Sequence, residues 1–169
     1  GLATRKEATI WFDKTKSGPH INVLLYLPNS KPKNAPAFVG LNFEGNYTIT
    51  DEPDIKLPEG WVPNSNGTKD NKASEQRRGT TASRWPIEMI IKQGYAVATA
   101  HYGDIDPDFD DGFQNGVHPL FYKQGQTKPA ADEWGSIGAW AWGLSRILDY
   151  METDDRIDAK RVAVIGHSR

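Results

Sequence analysis

The chain has 169 residues, 37% of them hydrophobic and 25% charged; a chain of this size buries roughly two-thirds of its unfolded surface, so one domain with its own core is expected. The net charge of −2 gives no electrostatic reason to expect nucleic acid or an anionic membrane as partner, and the densest basic pair, Arg77-Arg78, is too small to track phosphates. The absence of cysteine excludes disulfides and thiolate metal sites, and no apolar run reaches the roughly 18 residues of a membrane span.

Residues 6–12 (KEATIWF) and 21–27 (INVLLYL) both have strand character, and Ser17-Gly18-Pro19 between them predicts an antiparallel hairpin. Pro28, which has no amide hydrogen, ends the second run. Residues 37–41 (AFVGL) predict a short strand inside a sheet. The polar stretch from residue 42 to about residue 83 predicts a long loop, of the kind that is functional or disordered. RWPIEMIIKQG then predicts a short helix, with Pro86 suited to its first turn and Gly94 to its C-terminal cap. Residues 95–100 (YAVATA) predict another buried strand, followed by a second long loop from His101 to about Asp132. The clearest helix is predicted over residues 134–151, where Ile137, Trp140, Ala141, Leu144, Ile147, Leu148 and Met151 recur at helical spacing on one face. The run Val162-Ala163-Val164-Ile165 predicts a last apolar strand.

After that strand comes Gly166-His167-Ser168, the front of a G-x-S-x-G elbow. In such an elbow a serine sits on a sharp strand-to-helix turn. Ser168 is the candidate nucleophile; its hydroxyl needs a neighbouring base to take the proton. Arg169 would carry a backbone N–H at an oxyanion position, and its guanidinium could add a donor or grip a carboxylate in bidentate fashion. His167, adjacent to the serine, is expected to point into the fold and act structurally. Residues 40–48 (GLNFEGNYT) follow the third strand, so Phe43, Glu44 and Gly45 could present a second oxyanion N–H; a plain β-turn is the alternative. Asp104, Asp106, Asp108, Asp110 and Asp111 alternate like part of a calcium loop. They lack the glycine and closing glutamate of an EF-hand, so no metal site is expected. The sequons at Asn46 and Asn66 would matter only in a eukaryotic host. Six tryptophans suit either aromatic platforms for sugars or core packing.

Strand, strand, strand, helix, strand, helix, strand and serine turn, in that order, is the order of an α/β-hydrolase: a three-layer αβα domain with a mostly parallel sheet, incomplete here after the nucleophile strand. With RWPIEMIIKQGYAVATAHYGDIDPD, EWGSIGAWAWGLSRILDYME, RVAVIGHSR and FVGLNFEGNYT read together, nearly the whole chain resembles the glucuronoyl esterase family, particularly its bacterial members. The resemblance implies cleavage of esters between the glucuronic acid of xylan and alcohols, as in lignin–carbohydrate linkages, by a Ser-His-acid triad without a cofactor. It carries the nucleophile to Ser168 and the oxyanion-assisting arginine to Arg169. The family's histidine and acid lie beyond the elbow and have no counterpart in this sequence. Assigning His20, His101 or His118 as the base would break the chain order of serine, acid, histidine.

Residues 1–169 are therefore expected to be the N-terminal portion of one catalytic domain, with the remainder C-terminal to Arg169. Alone, the piece is expected to be nearly inactive and poorly folded. A secreted or periplasmic location is expected, with glucuronoxylan or a lignin–carbohydrate ester as partner and neither nucleic acid nor membrane. The alternatives are an acetyl-xylan or other carbohydrate esterase on the same fold, and a non-catalytic glycan-binding domain. Tryptophans buried toward the sheet with a recessed Ser168 would weaken catalysis; a strained, exposed Ser168 at the sheet's carboxyl edge would favour the hydrolase.

Overall fold

A computed structural model of the protein describes residues 1–31 and 33–168. The two predicted opening strands form the hairpin: β1 (Ala3–Trp11) and β2 (His20–Pro28) pair antiparallel, with Ala3 opposite Pro28 and Trp11 opposite His20. The connecting turn closes on Asp13, whose carboxylate accepts from Gly18 N–H at 2.8 Å and from Thr15 Oγ1 at 2.5 Å. β3 (Ala35–Asn42), β4 (Ala96–His101) and β5 (Ile157–Val164) complete one sheet of order β1-β2-β4-β3-β5. β2 meets β4 antiparallel, whereas β3 is parallel to both β4 and β5.

Alternation along the strands divides the sheet into two faces. Val23, Leu25 and Leu27 share one face with Ala96, Ala98, Ala100, Ala37 and Val39. The alanines leave room for the large residues of helix α2 (Ser136–Glu152), of which Trp140, Ile147 and Met151 are buried there. Ile147 is fully buried, which contributes roughly 1.5–3 kcal/mol. Leu24, Tyr26 and Val97 line the opposite face, under helix α1 (Ile87–Lys92) and the side chains of Tyr47, Ile49 and Ile55. Those last residues belong to the stretch read from sequence as a long loop. The stretch is indeed mostly irregular, broken by three single 3-10 turns, Asn46–Thr48, Glu75–Arg77 and Ala82–Arg84, and it is packed over the sheet as part of the third layer.

Two readings are corrected. The buried face of α2 is Ala139, Trp140, Gly143, Ile147 and Met151; Ile137 is 68% exposed and Ala141 is exposed too. The helix turns its small residues inward because the chain after β4 lies against it: a Cβ on Gly143 would stand 2.3 Å from Ile105 Cδ1. β5 also begins earlier than its apolar run, since Ile157 already pairs with Ala35.

Candidate active site

The parallel strands β3, β4 and β5 run in one direction, so their ends at Asn42, His101 and Val164 lie along one carboxyl edge, where open α/β sheets carry their ligands. Gly40 allows the end of β5 to close on β3: an added Cβ would meet the Ile165 carbonyl oxygen at 2.5 Å and Ile165 Cγ1 at 2.9 Å. Ile165 N–H donates to the Val39 carbonyl at 2.8 Å, the last backbone bond holding the strand before the turn. Three residues later stands Ser168, whose φ is 72°. A residue with a Cβ in the left-handed region is uncommon and costs on the order of 1–3 kcal/mol, so such strain marks a position the surrounding fold enforces. Ser168 is exposed and His167 beside it is exposed as well. Arg169 lies outside the described residues. The expectation that His167 points into the fold is modified: its ring sits edge-on to Phe43, with centroids 6.1 Å apart.

That contact brings the serine turn to the loop after β3. The loop is built on Asn42, 3% exposed, whose carboxamide reaches both strands and turn. Asn42 Nδ2 donates to Thr99 Oγ1 of β4 at 3.1 Å and to Asn46 Oδ1 at 2.8 Å; Asn42 Oδ1 accepts Gly45 N–H at 2.8 Å. Asn46 Nδ2 in turn donates to the Asn22 carbonyl of β2 at 2.8 Å. Gly45 has φ 102°, and a Cβ there would meet Pro58 and Tyr47 at 3.0–3.1 Å, so both conformation and space call for glycine. Of the three loop positions singled out in the sequence, Gly45 thus has its amide engaged within the loop. The Glu44 carboxylate is ion-paired with the Arg77 guanidinium, and Phe43 packs edge-on against Tyr102 with centroids 5.3 Å apart. Asn42 carried no sequence signal beyond its position at the end of an apolar strand.

The other histidines are structural in their surroundings. His20 stacks with Trp11 at 4.2 Å in the hairpin. His101 is buried at the end of β4, its Nδ1 3.6 Å from Asp104 Oδ1. His118 is buried between Phe113 and Trp134, with Nδ1 3.3 Å from Asp106 Oδ1. Burial pushes the Asp106 carboxyl above the usual carboxylate range, against the pull of Ser136 and His118. The aspartates of the alternating cluster have partners within the fold: Asp104 accepts Asn22 N–H of β2, Asp108 accepts from the Tyr102 hydroxyl, and Asp110 and Asp111 accept amides of Gly112, Phe113 and Asn115. Among the described residues no group of three or more His, Asp or Glu side chains is arranged to hold a metal. Trp140 is 6% exposed and donates Nε1–H to the Asp106 carbonyl at 2.9 Å. Trp142 is half-buried among Phe12, Phe121 and Trp134, with Arg146 over its ring. The tryptophans of α2 are packing residues, while the serine is exposed.

A mixed sheet opening on an antiparallel pair, helices on both faces, and a serine on a strained turn after the fifth strand are the α/β-hydrolase fold. Residues 79–169 match the family model described as "Glucuronyl esterase, fungi". A curated relative, "Carbohydrate esterase MZ0003" of an unknown prokaryotic organism, is 48% identical over the whole chain. The glucuronoyl esterase from Solibacter usitatus superposes with a TM-score of 0.91 at 46% identity, covering 100% of this chain and 42% of that one. A structure described as a promiscuous CE15 esterase from the marine bacterial metagenome gives 0.85 at 47%, covering 99% of this chain and 42% of that one. The chain belongs to the glucuronyl esterase family. It spans 39% of the length of the curated relative it matches.

Proposed function

We propose that this chain forms the N-terminal portion of the catalytic domain of a serine carboxylic ester hydrolase. Its substrates are glucuronoyl esters, the 4-O-methyl-glucuronic acid esters of xylan and lignin–carbohydrate linkages. The observation that carries the reading is the exposed Ser168 at φ 72°, at the carboxyl edge of the sheet. The serine Oγ attacks the ester carbonyl, the alcohol leaves, and water hydrolyses the acyl-enzyme to free the uronic acid. The oxyanion is held by backbone N–H groups around Arg169 and the loop at Phe43 and Glu44, with the Arg169 side chain assisting. The family match, and relatives named 4-O-methyl-glucuronoyl methylesterase such as that of Cerrena unicolor (28% identical over 73% of this chain and 23% of its own length), support the substrate class.

The base and acid of the triad come from sequence C-terminal to Arg169, and the protein acts in the periplasm or outside the cell. The surface of β5 supports a continuation. Val162, Ala163 and Val164 are an apolar run at the sheet edge, yet Val164 is 66% exposed and β5 pairs with β3 alone among the described strands. Such an edge calls for a covering segment.

The test is turnover by the full-length protein of a glucuronate methyl ester and of acetyl-xylan, with and without Ser168→Ala. Hydrolysis of the glucuronate ester, lost by at least 10³-fold in the variant, is expected. Ready cleavage of acetyl-xylan with the glucuronate ester left intact would replace this reading by the acetyl esterase; unchanged turnover in Ser168→Ala would remove the nucleophile assignment.

A further inference from the structure

We propose that Asn42 is a positioning residue of this esterase, fixing the shape of the oxyanion loop, and that Gly45 is not an oxyanion donor. The inference rests on the reading of Ser168 as nucleophile and goes beyond it, because Asn42 touches no reacting atom. Three features carry it.

First, the carboxamide is almost fully buried and its bonds go to elements that define the site's frame: Thr99 in β4, Asn46 in the 3-10 turn, and the Gly45 amide. Secondly, the bond to Gly45 spans the two residues Phe43 and Glu44, so the carboxamide closes a small ring around the segment that faces the serine turn. The Phe43–His167 ring contact is made from within that ring of bonds. Thirdly, the far side of the loop is anchored independently. Thr48 Oγ1 donates to the Gly45 carbonyl at 2.9 Å, Thr81 N–H donates to the Thr48 carbonyl at 2.8 Å, and Glu44 is held by Arg77. With both ends fixed, the carboxamide sets how residues 43 and 44 cross between them. An oxyanion hole works through donors already in place before the charge develops, and a misplacement near 1 Å costs about a hundredfold in rate.

Full-length protein carrying Asn42→Ala, Asn42→Asp or the packing control Ile147→Val is assayed on p-nitrophenyl acetate, whose acylation needs the same oxyanion hole whatever the natural acyl group. A glucuronate methyl ester is assayed in parallel. Expected for Asn42→Ala is a fall in kcat of about 10²-fold on both esters with KM within about threefold. Asn42→Asp, which keeps an acceptor for the Gly45 amide but loses both Nδ2 donors, should stay at least tenfold faster than Asn42→Ala. Should Asn42→Ala fail to fold, Asn42→Asp decides alone, with kcat expected within about tenfold of the parent.

The inference is overturned by a folded Asn42→Ala with parental kcat, by Asn42→Asp as slow as Asn42→Ala, or by an equal kcat loss in Ile147→Val. Parental turnover of p-nitrophenyl acetate without turnover of the glucuronate ester would instead sink the substrate reading and leave the positioning result standing. No turnover of either ester by the parent would overturn both.

Discussion

Gly143→Ala in α2 sets two effects of known size against each other. Helix propensity favours alanine over glycine by about 1 kcal/mol at an interior position. Against it, the new Cβ would stand 2.3 Å from Ile105 Cδ1, 2.7 Å from Cγ1 and 3.2 Å from Cγ2. Ile105 is fully buried just past the end of β4, and its β-branched side chain has one strongly preferred rotamer, so turning it merely exchanges one close atom for another. Overpacking of this kind costs roughly 1–3 kcal/mol. Two contacts below 3 Å place the clash in the upper part of that range, about 2–3 kcal/mol, so it wins and a net destabilisation of about 1–2 kcal/mol is expected.

Urea unfolding of the full-length protein, followed by tryptophan fluorescence, measures it as a shift of midpoint at constant slope. A second variant checks the cause. Ile105→Val alone should cost roughly 1 kcal/mol, but in the Gly143→Ala background it should cost nothing or restore stability, giving a coupling of at least about 1 kcal/mol. Additive single and double variants, or a Gly143→Ala protein as stable as the parent, would refute the reasoning.

Two other outcomes follow from buried charge. Asp106 is held above the usual carboxylate range by burial, so its ionisation costs more in the native state than in the unfolded chain. Its stabilising contribution is therefore complete below about pH 4, the unfolded value, and is lost as pH rises through the raised native one. Asp106→Asn should gain on the parent in melting temperature as pH is raised from 4 to 8; a gap independent of pH, or one moving the other way, counts against this. Asp154 is 8% exposed and accepts from Lys6 Nζ at 2.5 Å and Arg156 N–H at 3.1 Å, tying the turn after α2 to β1. The lysine side chain is 40% exposed, so solvent screening limits the pair. Asp154→Ala is expected to cost about 1–2 kcal/mol in urea unfolding, and no measurable loss would show that solvent replaces the carboxylate.

What was legible in the sequence follows from which physics leaves a periodic trace. The hairpin was legible because residues 6–12 and 21–27 both have strand character and the turn between them carries Ser17-Gly18-Pro19. β3 and β4 were legible because strands covered on both faces read as unbroken apolar runs; the end of β5 reads the same way although Ala163 and Val164 are exposed. The buried face of α2 shares Trp140, Ile147 and Met151 with the one read from sequence but is rotated by part of a turn, for a different reason. Periodicity counts large apolar residues, whereas close approach selects small ones, and Ala139 and Gly143 face inward where Ile105 leaves no room for more. The segment from residue 46 to residue 84 read as loop because Tyr47, Ile49, Ile55 and Val62 are spaced by 3-10 and irregular turns, with neither the helical nor the strand period. Yet these four are buried as completely as any strand residue.

The candidate site divides along the same line. Ser168 is singled out by its residue pattern, because it follows Gly166 at the spacing of a G-x-S-x-G elbow. The loop opposite is shaped by Asn42, and asparagine at the end of an apolar strand reads as the first polar residue of a loop. Its role depends on where Thr99, Asn46 and the Gly45 amide converge, positions 57, 4 and 3 residues away in sequence. The bonds to Asn46 and the Gly45 amide are local to the turn, but the third partner, Thr99, is brought in by the register of β3 against β4, with Gly40 opposite Thr99 and Asn42 opposite His101. A one-residue slip of that register would turn Asn42 to the other face relative to β4 and take its carboxamide away from Thr99. The loop after β3 is thus shaped by its own Asn42 bonds to Asn46 and Gly45 and tied to β4 through Thr99, on a frame set by the apolar packing of β3 and β4.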